Sequence, residues 1–575
     1  MMRLAYSFFI ACLLVWLSQN VIAQQDAKPK REGVITGRIA ADGRPVAGAK
    51  VFVHSTGGKI GDMQTTASDA DGVFEMTGLG PGAYSVSTMV PGYVEPSGSL
   101  NPRMYRIGEN VTINLMKGGV ITGRVTDEFG EPMVGARVVA QKVRTLEGKP
   151  DRGANMMEVA SSGRETDDRG VYRIFGLVSG VYVVSLNGPS ISIPGVAQSR
   201  GAQQVYHPSS NRNTAAEVTV MGGAETSGID IRRREMRGHS ISGSVTGDAD
   251  AGGFMNAFMV MLIRAADKEP VTMTALVGDK NFSLGQIDDG DYDLGAWRFN
   301  ERLEFSTSVP RRVTIKGADV SGIELKLLKL GSIEGRILIE PRKEGEACKD
   351  PGDFSIEDIL LKIRRDDKTQ SSISTLAQLD QSVGMGRVSP VDDGAFVLKN
   401  VEPGRIRIET DLPGDDWYVR EITQKSSAAP KPIDAAQNGV ILKSGERVSG
   451  VVVTIDEGAA SLKGKVVPAN ENAKLAKQIR VHLIPAEMTA ANETLRYYEK
   501  MTSNDGSFDF RNLAPGKYLL HLRAAEEGES PENLDRPAAW DPIERAKLRR
   551  EAEALKIEVE LKPCQRVKDH VLRLR

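Results

Sequence analysis

Six histidines, three cysteines and four tryptophans carry the most specific chemistry in this 575-residue chain. A catalytic zinc site commonly takes two histidines and a carboxylate. Yet His54, His207, His239, His482, His521 and His570 lie far apart, and none begins an H-x-x-E or H-E-x-x-H pattern. No G-x-S-x-G turn stands between a strand and a helix, and no phosphate loop opens a βαβ unit. The residue types therefore point away from catalysis, and neither metal nor cofactor is expected. A hydrolase without a short signature is the least favoured alternative.

Acidic turns invite a calcium reading: SDADG (Ser68 to Gly72), TDDRG (Thr166 to Gly170), VDDG (Val391 to Gly394) and SNDG (Ser503 to Gly506). They lack the alternating oxygen ligands and distal glutamate of a calcium loop. Asp and Asn that bond their own backbone explain them as turns. For sugars the useful side chains are flat aromatics beside polar groups. Trp16 sits in the N-terminal apolar run, which leaves Trp297, Trp417 and Trp540. Trp297, just past a strand, and Trp417 with Tyr418, in a Pro/Gly/Asp-rich stretch, are the candidate ligand-binding residues. Such residues also commonly serve as packing caps.

Arg3, the apolar run Leu4 to Leu17 and Val21-Ile22-Ala23 before Gln24 form a secretion signal over residues 1–23. Cys12 lies inside that run, which argues against a lipid-anchor site. No later stretch approaches the ~20 apolar residues of a spanning helix. Export to the periplasm, the cell surface or the medium is expected. An oxidising compartment allows Cys348 and Cys564 to pair if their surroundings meet, which sequence leaves open. Lys+Arg number 74 against 76 Asp+Glu, a net charge of −2, so no field for nucleic acid is visible.

The elements that position these residues recur. Gly72, Phe74, Met76, Leu79, Gly82, Tyr84, Val86 share their spacing with Gly170, Tyr172, Ile174, Leu177, Gly180, Tyr182, Val184. The same spacing returns at Gly394, Phe396, Leu398, Val401, Gly404, Ile406, Ile408, and at Gly506, Phe508, Phe510, Leu513, Gly516, Tyr518, Leu520. A degenerate copy reads Phe282, Leu284, Ile287, Gly290, Tyr292, Leu294. Upstream of each stands apolar-x-Gly-x-apolar, centred on Gly37, Gly123, Gly243, Gly335 and Gly464. Period-two alternation bounded by Gly, Pro, Asp and Asn predicts short strands. The stretch DGVFEMTGLGPGAYSVS reads as strand, corner, strand, with Leu79 filling the corner. A closing piece, such as VTIKGADVSGIELKL (Val313 to Leu327), reads as two strands about a Gly turn. Asp541-Pro542 before IERAKLRREAEAL predicts one helix, set to cover a sheet edge.

These motifs together, I-x-G-x-V, P-x-x-G-A-x-V, D-G-x-F/Y and L-x-x-G-x-Y-x-V, resemble carboxypeptidase regulatory-like repeats. That resemblance implies transthyretin-like or Cna-B-like β-sandwiches, within a broader carbohydrate-binding-like fold, and covers nearly the whole mature chain. Some Cna-B-like modules carry self-made Lys–Asn isopeptide bonds, which spacing alone leaves undecided here. The expected fold is all-β: about five tandem Ig- or transthyretin-like sandwiches in a semi-rigid rod. Their expected bounds are 30–117, 118–236, 237–329, 330–459 and 460–575, with a helix insert near 541–555. The function that follows is a non-catalytic, exported binding or adhesion-type protein, with a polysaccharide or an envelope or extracellular protein as partner. The alternative is an envelope spacer or scaffold with no small ligand. The ending HVLRLR, without sorting motif or apolar tail, disfavours covalent wall anchoring.

Overall fold

The computed structural model describes residues 33–56, 63–95, 103–150, 163–187, 190–192, 204–234, 238–247, 257–299, 304–340, 348, 355–366, 387–425, 430–468, 478–525 and 537–574. The secretion signal expected over 1–23, with Cys12 and Trp16, lies outside the described residues. Nearly every described element is a strand. The five repeats are numbered here as units 1 to 5 in chain order.

Each unit starts from its x-Gly-x strand. In unit 1, Gly33–Ala41 runs antiparallel to Val73–Leu79 and parallel to Asn110–Lys117, so it lies inside its sheet. The same antiparallel and parallel neighbours flank Gly119–Thr126, His239–Thr246, Gly331–Glu340 and Ala460–Val467. The register explains the invariant spacing within the chain. Gly37, Gly123, Gly243, Gly335 and Gly464 stand opposite Phe74, Tyr172, Phe282, Phe396 and Phe508. A Cβ on Gly37 would lie 2.4 Å from the Val111 carbonyl oxygen and 2.5 Å from Phe74 Cζ. The missing side chain is the seat of the aromatic ring, a close approach that only glycine allows.

The corner passes the chain from one layer to the other. Val73–Leu79 belongs to the first layer, whereas Tyr84–Met89 pairs with Lys50–Ser55 in the second. Leu79 is buried between them. A feature beyond the apolar pattern closes this corner. The hydroxyls of Tyr84, Tyr182, Tyr292 and Tyr518 each donate to the carbonyl four residues back, at 2.6–2.8 Å. Tyrosine is thus chosen over phenylalanine because the turn leaves a carbonyl to satisfy.

Acidic turns are backbone caps. Asp69 Oδ1 accepts from the Asp71 and Val73 N–H groups at 2.9 and 2.8 Å, and Asp167 Oδ1 from Arg169 and Val171 at 3.0 and 2.8 Å. The Val171 N–H foremost holds the Asp167 carboxyl below its ordinary value. The closing pieces are two strands about a Gly turn, as read, but the two strands join different sheets. Arg311–Ile315 pairs with Gly290–Phe299, while Val320–Lys329 pairs in parallel with His239–Thr246. Their Gly turn therefore crosses between layers, because the alternation of the second strand must face the core from the opposite sheet.

Five large hydrophobic clusters, one for each unit, fill the spaces between layers. Phe74, Tyr172, Phe282, Phe396 and Phe508 are all buried in them. Burial of each such side chain contributes about 1.5–3 kcal/mol.

The predicted helix spans Pro542–Leu555, with the Asp541 carboxylate accepting from Ile543 N–H at 2.9 Å. It does not cover an edge. Leu548 and Ala552 pack on Ile484 and Leu519, from two inner strands, so the helix lies across an outer sheet face. Buried Arg549 donates to the Pro485 and Ala486 carbonyls at 2.8 and 2.7 Å. Its charged residues thereby serve the packed face that a purely apolar count leaves weak.

The units also meet outside their chain order. Gly82 of unit 1 donates its N–H to Asp358 of unit 4 at 2.9 Å. Sheet pairing crosses units as well: Ser190–Ser192 runs parallel to Pro270–Val277.

Candidate functional site

The expected exposed aromatics are not exposed. Trp297 lies within Gly290–Phe299, in register with Met259 and Thr307, and is 5% exposed. Trp417 opens the strand Trp417–Gln424 opposite Glu457 and is 9% exposed. Their strand positions turn both indoles into the packing. Half-buried Tyr418 has its hydroxyl 3.4 Å from Asp456 Oδ2. Trp540, which carried no assigned role, holds the guanidiniums of Arg364 and Arg407 over its ring at 5.0 and 5.4 Å. Its position directly before the helix cap Asp541 was the one sequence signal for it.

Trp417 and Trp540 both belong to the joint between units 4 and 5, where the chain concentrates its strongest bonds. Cys348 and Cys564 are joined by a disulfide, with Cα atoms 5.4 Å apart. The Cys348 N–H donates to Glu457 Oε1 at 2.9 Å, and that of Cys564 to the Gly458 carbonyl at 3.1 Å. Asn512, from the corner of unit 5, donates to the Gly414 and Trp417 carbonyls, each at 2.9 Å. Arg566 bonds the Asp416 carboxylate and the Ala459 carbonyl. Burial nevertheless keeps the Asp416 carboxyl above its ordinary value. Behind Trp540, Arg407 binds Asp366 Oδ2 through two nitrogens at 2.9 and 2.6 Å and also bonds the Ala436 carbonyl. Both side chains of this pair are almost wholly buried. Paired guanidinium and carboxylate satisfy one another there, and removing either would strand the other.

A titratable row crosses the outer face of unit 5. His482 and His521 are cross-strand partners with ring centroids 5.7 Å apart. His482 Nδ1 lies 3.5 Å from Glu499 Oε2, and His521 Nε2 lies 3.4 Å from Glu551 Oε2. Burial lowers the His521 pKa and raises that of Glu499. Among the described residues, no group of three or more His, Cys, Asp or Glu side chains is arranged to hold a metal.

A cleft of about 270 Å³ lies where units 2 and 3 meet, lined by Arg212, Arg264, Arg312, Asp288, Asp289 and Tyr292 among others. Its cations are compensated from nearby. Arg212 binds Glu269 through two nitrogens at 2.5 and 2.8 Å, and Arg312 Nε lies 2.7 Å from Asp293 Oδ1. The lining therefore offers many fixed hydrogen-bonding groups with little net charge.

Comparison with known proteins bears on the fold. Residues 34–113 match the family model of the carboxypeptidase regulatory-like domain. No curated protein matches the chain. Among solved structures, the Bacillus anthracis TIE protein aligns at 16% identity over 51% of each chain, with a TM-score of 0.13. The minor pilin GBS52 of Streptococcus agalactiae aligns at 13% identity over 36% of this chain and 97% of that one, with a TM-score of 0.19. The major pilin subunit BcpA of Bacillus cereus aligns at 13% identity over 52% and 99%, with a TM-score of 0.13. Similarity at that level carries no argument about activity or partners. No helix among the described residues is long and apolar enough to cross a membrane. The chain is a tandem array of β-sandwich repeats whose first unit matches the carboxypeptidase regulatory-like domain, and whose later units repeat the same strand, corner and strand plan.

Proposed function

We propose that this is an exported, non-catalytic, multi-domain protein of the adhesion or structural kind, working as a scaffold toward an envelope or extracellular protein. The observation that carries this reading is the use of Trp297, Trp417 and Trp540 in packing and inter-unit contacts. Flat sugar-stacking surfaces, the usual means of glycan recognition, are spent on packing at Trp297 and Trp417 and on an inter-unit contact at Trp540. The Cys348–Cys564 disulfide supports export, since such bonds persist in oxidising compartments.

A glycan array and a hydrolase panel on the mature chain test it. Silence on both, with the chain stable and monodisperse, is expected; saturable glycan binding or turnover in pure protein overturns it. The cleft between units 2 and 3 favours a second reading, a polyhydroxylated ligand such as a polysaccharide segment. Glycan binding that is lost in Arg312→Ala would support that reading over the scaffold.

A further inference from the structure

The contact between units 1 and 4 differs in kind from the joint between units 4 and 5. Asp358 ends the short turn Ile356–Asp358 and is 3% exposed. Its Oδ2 accepts the local Ser355 N–H at 2.9 Å. Its Oδ1 accepts the N–H of Gly82, 276 residues earlier and at the corner of unit 1, at 2.9 Å. Arg106, also of unit 1, completes the seam. Its Nε donates to the Asp358 carbonyl at 2.8 Å, and its Nη2 to the Asp411 carbonyl and carboxylate at 3.1 and 3.2 Å. Lys362 of unit 4 lies 3.3 Å from the other Asp411 oxygen.

Every one of these bonds is polar, and the hydrophobic clusters of the two units share no residue. Water can replace such bonds on both sides once the surfaces part. At the joint of units 4 and 5, by contrast, a disulfide and the bond of Arg566 to the Asp416 carboxylate resist separation. The Tyr84 hydroxyl senses the same seam: burial first, then the Asp358 and Glu357 carboxylates, raise its pKa.

We propose that Asp358, Asp411 and Arg106 form a latch that folds unit 1 back on unit 4, giving the chain a closed form and an open form of longer reach. Opening frees unit 1 from the covalently tied pair of units 4 and 5. This goes beyond the scaffold reading and does not depend on any ligand.

Small-angle scattering with sedimentation on the full mature chain tests it. The wild type should be monomeric and compact. Arg106→Ala should raise the radius of gyration by roughly a tenth or more while leaving the melting of the units in place. Asp411→Ala, which removes the carboxylate that Arg106 of unit 1 and Lys362 of unit 4 share, should expand the chain likewise and serves if Arg106→Ala fails to fold. Unchanged scattering in folded variants overturns the latch, as does a wild type that is already extended. A wild-type dimer that dissociates on Arg106→Ala also overturns it, by placing unit 1 on a second copy.

Discussion

The ring of Phe74 occupies the space that a side chain on Gly37 would need, with Cζ 2.5 Å from the site of that absent Cβ. The two residues are register partners on neighbouring strands. The pair is repeated at Gly464 and Phe508, where the corresponding distance is 2.6 Å. Because the Val111 carbonyl crowds the same point at 2.4 Å, the backbone itself would have to shift. Gly37→Ala should therefore destabilise unit 1 by about 1–3 kcal/mol, the ordinary range for overpacking. Calorimetry of the full chain should show one transition lowered and the others unmoved.

The corner tyrosine of unit 3 predicts an alkaline limit. Tyr292 donates to the Asp288 carbonyl at 2.8 Å, and burial foremost pushes its pKa up to about 12. In the unfolded chain tyrosine ionises near 10. Above that value the unfolded state loses a proton that the folded state keeps, so stability falls as pH rises from about 10 through about 12. Below pH 10 this residue should leave stability independent of pH. Tyr292→Phe should flatten the alkaline decline, at a cost of about 0.5–1.5 kcal/mol for the lost bond at neutral pH. Denaturant titrations across pH 8–12 read both effects.

Cutting the covalent tie should loosen one joint only. Cys348 and Cys564 are separated by 216 residues, so the bond restricts a long loop of the unfolded chain. Cys348→Ser should lower the stability of units 4 and 5 by about 2–5 kcal/mol. Units 1 to 3 should melt as before. A reductant titration of the wild type, followed by calorimetry, should reproduce the variant.

Trp540 should behave as an anchor. It receives Arg364 and Arg407 from unit 4, and Arg407 in turn holds buried Asp366. Trp540→Ala should cost about 1–4 kcal/mol from the two cation–π contacts. It should also increase proteolysis at the joint between units 4 and 5. Trp540→Phe, which keeps a ring face, should recover part of the loss. Equal cleavage of all three proteins would remove Trp540 from the joint.

What the sequence determined by itself was the unit. Alternating Phe74 and Met76, the corner residue Leu79 and the seated glycines are local physics: side-chain period, turn geometry and apolar burial all act within a short span of chain. The helix after Asp541 was legible for the same reason, since cap, proline and periodicity lie side by side.

Only the tertiary structure decided how units meet. Arg106 reaches Asp411 across 305 residues, and Asn512 reaches Trp417 across 95. No spacing rule links such pairs, because each bond depends on where two separately folded surfaces come to rest. The closing strands show the same division. Their alternation announced strands, but which layer each joined followed from the core it had to fill. Trp540 was drawn into the joint of units 4 and 5 because a large ring beside a cation stabilises a contact that small side chains leave weak.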